Sequence, residues 1–139
     1  VQDWRDLVIE QSDSQLLGEN LRASGIAPPK DADGNELSGY DPHHILPLKK
    51  WPELNDLRQQ FAGWNIGIND AANGVWLPGS DAPNDAGRSY HERLHNGEYR
   101  NAIDDAFLGV TTREVALRTL ADIRAQLENG TFPGSRPRP

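Results

Sequence analysis

Asp41-Pro42-His43-His44-Ile45-Leu46-Pro47 lies in the middle of the chain, followed by Asn73-Gly74-Val75-Trp76-Leu77-Pro78 and then Tyr90-His91-Glu92-Arg93-Leu94-His95-Asn96-Gly97-Glu98-Tyr99. The first stretch belongs to Tyr40–Leu48, short, apolar and broken by prolines, which predicts an irregular strand or extended loop. In the second, apolar residues alternate on both sides of Asn73-Gly74, a dipeptide suited to a type I′ turn, so a hairpin is expected over 66–77. The third opens a helical pattern from Arg88 to Leu108, with Tyr90, Leu94, Tyr99, Ile103 and Phe107 facing inward and Gly97 able to split it.

Working outward, Trp4, Leu7, Val8, Leu16, Leu17 and Leu21 fall at helical spacing over 3–24, a helix weakened at Ser12–Ser14 and ended by Gly25. Pro28 to Gly39 reads as a loop with a turn at Asp33-Gly34-Asn35. Pro52 to Phe61 is a short helix, with Pro52 in its first turn and Gly63 as its stop. Gly79 to Gly87 is a surface loop. Thr111 and Glu114 form a capping box for a last helix over 113–128, whose inward face carries Val115, Leu117, Leu120, Ile123 and Leu127. Asn129-Gly130 ends it, and 131–139 reads as a flexible tail. The expected fold is α+β: one small, helix-dominated domain over 1–139 with a β element near its middle.

At 139 residues, the chain can bury about two-thirds of its unfolded surface without staples. It has no Cys, which removes disulfides, thiolate metal sites and cysteine nucleophiles. No run reaches the roughly 20 apolar residues of a membrane span, so no membrane partner is expected. Nothing at the start reads as a signal peptide, and a chain without Met that begins at Val1 is expected to be a piece of a longer protein. The net charge of −7 argues against a nucleic-acid partner until it is located. Residues 1–42 hold three bases against nine acids, 43–100 six against seven, and 101–139 five against five. The acidity is therefore N-terminal, and the middle and end are close to neutral.

All four histidines fall between positions 43 and 95. His91 and His95 are i, i+4 on the expected helix, so both imidazoles share a face and can bind one ion. Adjacent histidines in a strand point to opposite faces, but His43 and His44 lie between Pro42 and Pro47, where an irregular backbone can aim both at one cavity. Two enzymes can be assembled from these residues. One uses both pairs and Asn73. The other uses His91-Glu92-x-x-His95, a zinc metalloprotease signature with Glu92 as base and Glu114 as a downstream ligand. The second leaves His43, His44 and Asn73 idle, and Glu114 already serves the expected cap. A metal-stabilised binding domain without catalysis is a third reading.

In its three quoted segments, over about 40–100, the chain resembles the HNH (ββα-metal, His-Me finger) nuclease superfamily. More narrowly it is similar to the AHH-type nucleases of bacterial polymorphic toxins and secretion-system effectors, type VI among them. It departs in having Pro42 where those have Ala before the two histidines. The resemblance implies a central ββα-metal motif over about 40–108 and a metal-dependent endonuclease. By that resemblance His43, His91 and His95 would hold one divalent ion, Zn, Ni, Mn or Mg. His44 would be the general base, its ordinary pKa near working pH, and Asn73 would tie the loop to the hairpin and orient His44. An Asn before Gly also suits the turn by itself. Arg88, Arg93, Lys49 and Lys50 are the candidate phosphate contacts. The resemblance further implies a DNA substrate, with RNA left open, a cognate immunity protein, and delivery from a bacterium into a recipient cell's cytoplasm.

Overall fold

Two strands carry the middle of the chain in the computed structural model, which describes residues 14–47, 50–91, 94 and 96–134. Strand β1 (Tyr40–His44) runs antiparallel to β2 (Gly74–Pro78), with Pro42 opposite Trp76, His43 opposite Val75 and His44 opposite Gly74. Because side chains alternate along a strand, Pro42 and Trp76 share one face of this ribbon, and His43 and Val75 the other.

Each face is covered by helix. Helix α1 (Ser14–Ala23) lies over the Pro42–Trp76 face and buries Leu17 and Leu21 there with Tyr40 and Trp76. Gly18 lies at the crossing, where a methyl would make close van der Waals contact, 3.4 Å from both Pro42 and Trp76. The opposite face meets the main core. It contains Val75, Leu77, Ile45 and Leu46, together with Leu57 and Phe61 of α2 (Asn55–Gly63), Tyr99 and Ile103 of α3 (Gly97–Ala106), and Leu120, Ile123 and Leu127 of α4 (Arg113–Asn129). A 3₁₀ turn at Pro52–Leu54 leads into α2, with Pro52 in its first turn as the sequence predicts. Among the described residues, four helices and a two-stranded antiparallel sheet make a small α+β fold, consistent with a ββα nuclease domain.

Four sequence expectations are corrected. There is no hairpin at Asn73-Gly74. Ala71–Asn73 is a 3₁₀ turn, Gly74 is extended (φ −120°, ψ 156°) and starts β2, and the partner strand is 29 or more positions away at 40–44. Glycine is needed there for closeness: a Cβ at Gly74 would meet Leu17 Cδ1 at 2.7 Å and Leu21 at 3.1 Å. The helix expected from Arg88 begins only at Gly97. Before it, Asn84 closes a turn with the backbone of Arg88 (2.8 and 2.9 Å), and Ser89 N–H donates to Leu127 O at the end of α4 (2.8 Å). Asn96 then caps α3 by accepting from Tyr99 N–H at 2.9 Å.

Helix α4 is capped by Thr112, not Thr111: Thr112 Oγ1 accepts from Val115 N–H, and Gly130 closes the far end in the left-handed region. Glu114 therefore stands in the second position of the helix, where a carboxylate favours the dipole but completes no capping box. Finally, 131–134 are docked. Phe132 is buried against Tyr99, Asn96 Nδ2 donates to Gly134 O, and Gly134 N–H donates to Glu98 Oε1 at 2.7 Å. The first half of the expected helix over 3–24, and residues 135–139, lie outside the described residues. Among the described residues no helix is long and apolar enough to cross a membrane.

Candidate active site

The final two residues of β1 are the two histidines, and strand alternation sends their rings to opposite faces. The expectation that both aim into one cavity is corrected for this reason: the segment is a regular strand, so a site built on both must straddle its end.

His43 faces α3 and is 4% exposed. Its Nε2 lies 3.0 Å from Tyr99 Oη, and Tyr99 Oη lies 2.7 Å from Ile45 O. Burial pushes the Tyr99 phenol far above its ordinary value, so it keeps its proton. A carbonyl only accepts, so that proton goes to Ile45 O and the phenol oxygen accepts from His43 Nε2–H. The lone pair of neutral His43 is thereby placed on Nδ1. That Nδ1 faces His91 Nδ1 at 3.0 Å, with the rings edge-on at 81°.

This spacing tests whether the pair suits a metal. Two imidazole nitrogens each about 2.0–2.1 Å from one ion stand about 3.0–3.4 Å apart at ordinary coordination angles. His43 and His91 meet that requirement, and His43 also has its other nitrogen held by an oxygen, as metal-ligating imidazoles do. Among the described residues no group of three or more His, Cys, Asp or Glu side chains is placed to hold an ion. His95, the third expected ligand, lies outside them, as do Glu92, Arg93 and Lys49. The premise that His91 and His95 share a helical face involves His95, which lies outside the described residues; α3 itself begins at Gly97. Glu92 and His95 of the metalloprotease signature lie outside the described residues, and its His91 precedes α3.

His44 faces the other way and is 9% exposed. Its Nε2 lies 2.7 Å from Asn69 Oδ1. An amide oxygen only accepts, so Nε2 carries the proton and the lone pair of the neutral ring is on Nδ1. Asn69 was not among the sequence candidates. Its signal was a polar residue inside the apolar run Ile66-Gly67-Ile68-Asn69, where burial demands a partner.

Asn73 does something other than orient His44 directly. Fully buried, its Oδ1 accepts from Leu46 N–H (2.9 Å), and its Nδ2 donates to Leu46 O (3.1 Å) and Ile68 O (2.8 Å). With Ile45 N–H donating to Asn73 O (2.8 Å), it fastens the segment after the histidines to the turn before β2. That is the expected tie, to a turn and strand in place of a hairpin.

The candidate phosphate contacts separate. Arg88 turns inward, donating to Trp76 O (3.0 Å) and pairing with Glu128 (3.3 Å), its side chain 16% exposed. It is therefore a structural residue. Lys50 is exposed, with Nζ 4.8 Å from the Trp51 ring centroid. The loop beneath it is held by a buried arginine that sequence reasoning overlooked. Arg58 donates to Pro47 O (3.0 Å), Trp51 O (2.9 Å), Asn55 Oδ1 (2.9 Å) and Lys50 O. Burial pulls its pKa down to about 10, still charged at neutral pH.

One family model matches residues 30–127: a nuclease family of the HNH/ENDO VII superfamily with conserved AHH. The chain belongs to this family. The match spans β1, α2, β2, α3 and most of α4, so the nuclease assignment covers the elements that position the histidines. Pro42-His43-His44 occupies the AHH segment, and the substituted Pro packs beneath α1 at Gly18, on the face away from His43. No curated protein and no solved structure matches the chain. Nucleases of this superfamily are generally metal-dependent.

Proposed function

We propose that this AHH nuclease is a metal-dependent endonuclease acting on DNA, and that it works as a delivered bacterial toxin domain neutralised in its producer by an immunity protein. The observation that carries the catalytic part is the tautomer arrangement at the end of β1. His43 and His44 both keep Nε2–H on an oxygen acceptor, so both have the lone pair on Nδ1.

In this reading His44 Nδ1 takes the proton from the water that attacks phosphorus. Imidazole is the side chain suited to that task near neutral pH. His43 and His91 would hold a divalent ion with His95, and Tyr99 keeps His43 in the ligating tautomer. The bound ion would supply positive charge to the phosphoryl oxygens and the leaving 3′ oxygen. Asn73 holds the segment after His44 in place. Lys50, Lys49 and Arg93 are the cations offered to the nucleic-acid backbone. All-imidazole ligation suits Zn or Ni better than Mn or Mg, which prefer oxygen.

The test is nicking of supercoiled plasmid by the purified chain, beside an RNA substrate. Cleavage should stop on chelation and return with a divalent ion. His44→Ala should lose about 100-fold or more in rate while still binding zinc, and His43→Ala should lose both. Undiminished cleavage by His44→Ala would overturn the base assignment. Preferential RNA cleavage would overturn the substrate. Growth arrest on cytoplasmic expression, relieved by His44→Ala, is expected of a toxin, and unaffected growth with an active enzyme would overturn that role.

A further inference from the structure

Asn69 is 1% exposed and joins helix α1, which has no role in the catalytic reading, to His44. Its backbone carbonyl accepts from Asn20 Nδ2 of α1 at 2.8 Å, and its side-chain oxygen faces His44 Nε2 at 2.7 Å. Its Nδ2 is buried and makes no hydrogen bond among the described residues. A buried donor left unmade costs stability, and a native fold keeps such a group where something else requires the side chain. An apolar residue of the same shape would avoid the cost but would give His44 no acceptor. The neighbouring Asn73 shows the contrast, with both ends of its amide satisfied by backbone.

We propose that Asn69 is a positioning residue for His44: its Oδ1 holds the ring as the Nε2–H tautomer and aims Nδ1 at the attacking water, with α1 steadying Asn69 through Asn20. This rests on His44 being the base. The chain of contacts is Asn20 Nδ2 to Asn69 O, then Asn69 Oδ1 to His44 Nε2. It gives α1, which lies wholly outside the family match, a link to the site. Without the acceptor, neutral His44 would be free to exchange its proton onto Nδ1 and present no lone pair there.

The tautomer can be read without activity, from long-range ¹H–¹⁵N correlations of the His44 ring in the full chain, assigned by comparison with His44→Ala. The wild type should show Nε2 protonated and Nδ1 bare. Asn69→Leu, close in shape and lacking the acceptor, should show mixed tautomers and a kcat lower by about 100-fold, with KM for plasmid within about twofold. Asn69→Asp restores an oxygen acceptor and should recover at least about tenfold of that loss. A wild-type His44 with Nδ1 protonated overturns the proposal whether or not Asn69→Leu folds. So does a folded Asn69→Leu with an unchanged tautomer and full kcat, or an Asn69→Asp no better than Asn69→Leu. Full activity in His44→Ala would instead overturn the base assignment on which the proposal rests.

Discussion

Tyr99 is the residue on which the arrangement around His43 turns. Its hydroxyl donates to Ile45 O and accepts from His43 Nε2, so one atom ties α3 to the backbone just after the histidines. Tyr99→Phe removes the donor that Ile45 O uses and the acceptor that His43 Nε2 uses, at a cost of about 1–3 kcal/mol in a buried site. Losing the oxygen behind a ligating imidazole should also weaken metal affinity by about 10–100-fold. Chemical denaturation and zinc competition against a chromophoric chelator measure the two effects, and a variant with unchanged zinc affinity would remove Tyr99 from the metal reading. At this scale the sequence was informative about residue type and less so about pairing. His43 and His44 were legible from their own chemistry. Asn69 was passed over for Asn73 because the two are four apart in one turn, and only the fold decides which amide reaches the ring.

At the scale of elements, α2 and α4 were legible from their apolar stripes, since a face buried against one core repeats at helical spacing. The ββ pairing was not. Asn-Gly fits a tight turn, but it also fits a buried amide staple followed by a glycine lying under α1, and local sequence does not separate the two. Helix α3 starts late because Asn96 caps it, while apolar spacing at Tyr90 and Leu94 imitates a longer helix. The loop after the histidines depends on Arg58, whose planar fork reaches three carbonyls at once. Arg58→Met should cost about 3 kcal/mol or more and speed tryptic cleavage after Lys50. Arg58→Lys should recover only part, because a single ammonium cannot span the same acceptors. The docked end of the chain makes a second expectation. Gly134 has φ +84°, and a Cβ there would lie 2.7 Å from Tyr99 N and 2.8 Å from Tyr99 Cβ. Gly134→Ala should therefore lower the melting temperature by several degrees, as a cost of about 1–2 kcal/mol does in a domain of this size. An unchanged melt would mean that 131–134 contribute nothing.

Over the whole molecule, the charge distribution now bears on how nucleic acid is held. The net charge of −7 is concentrated before His43, and at least five of the fourteen lysines and arginines are engaged within the fold. Arg22 pairs with Glu36, Arg88 with Glu128 and Arg100 with Glu53, while Arg58 and Arg124 spend their donors on backbone carbonyls. The groove of about 830 Å³ between α3 and α4 is lined in part by Glu98, Asp105 and Asp122, so a polyanion is repelled from that side. Lys50 is an exposed cation beside the loop that follows the histidines, Lys49 precedes it in sequence, and Arg93 follows His91 by two positions. Each phosphate neutralised adds about −0.9 to the slope of log K against log salt. With Lys49, Lys50 and Arg93 as the phosphate contacts, a catalytically inactive variant such as His44→Ala should bind duplex DNA with a slope no steeper than about −4. Lys50→Ala in that background should reduce the slope by about 1 without changing sequence preference. Fluorescence anisotropy across a salt series reads both. A slope near −8 would mean a basic surface built by residues other than these, and with it a different path for the substrate across the fold.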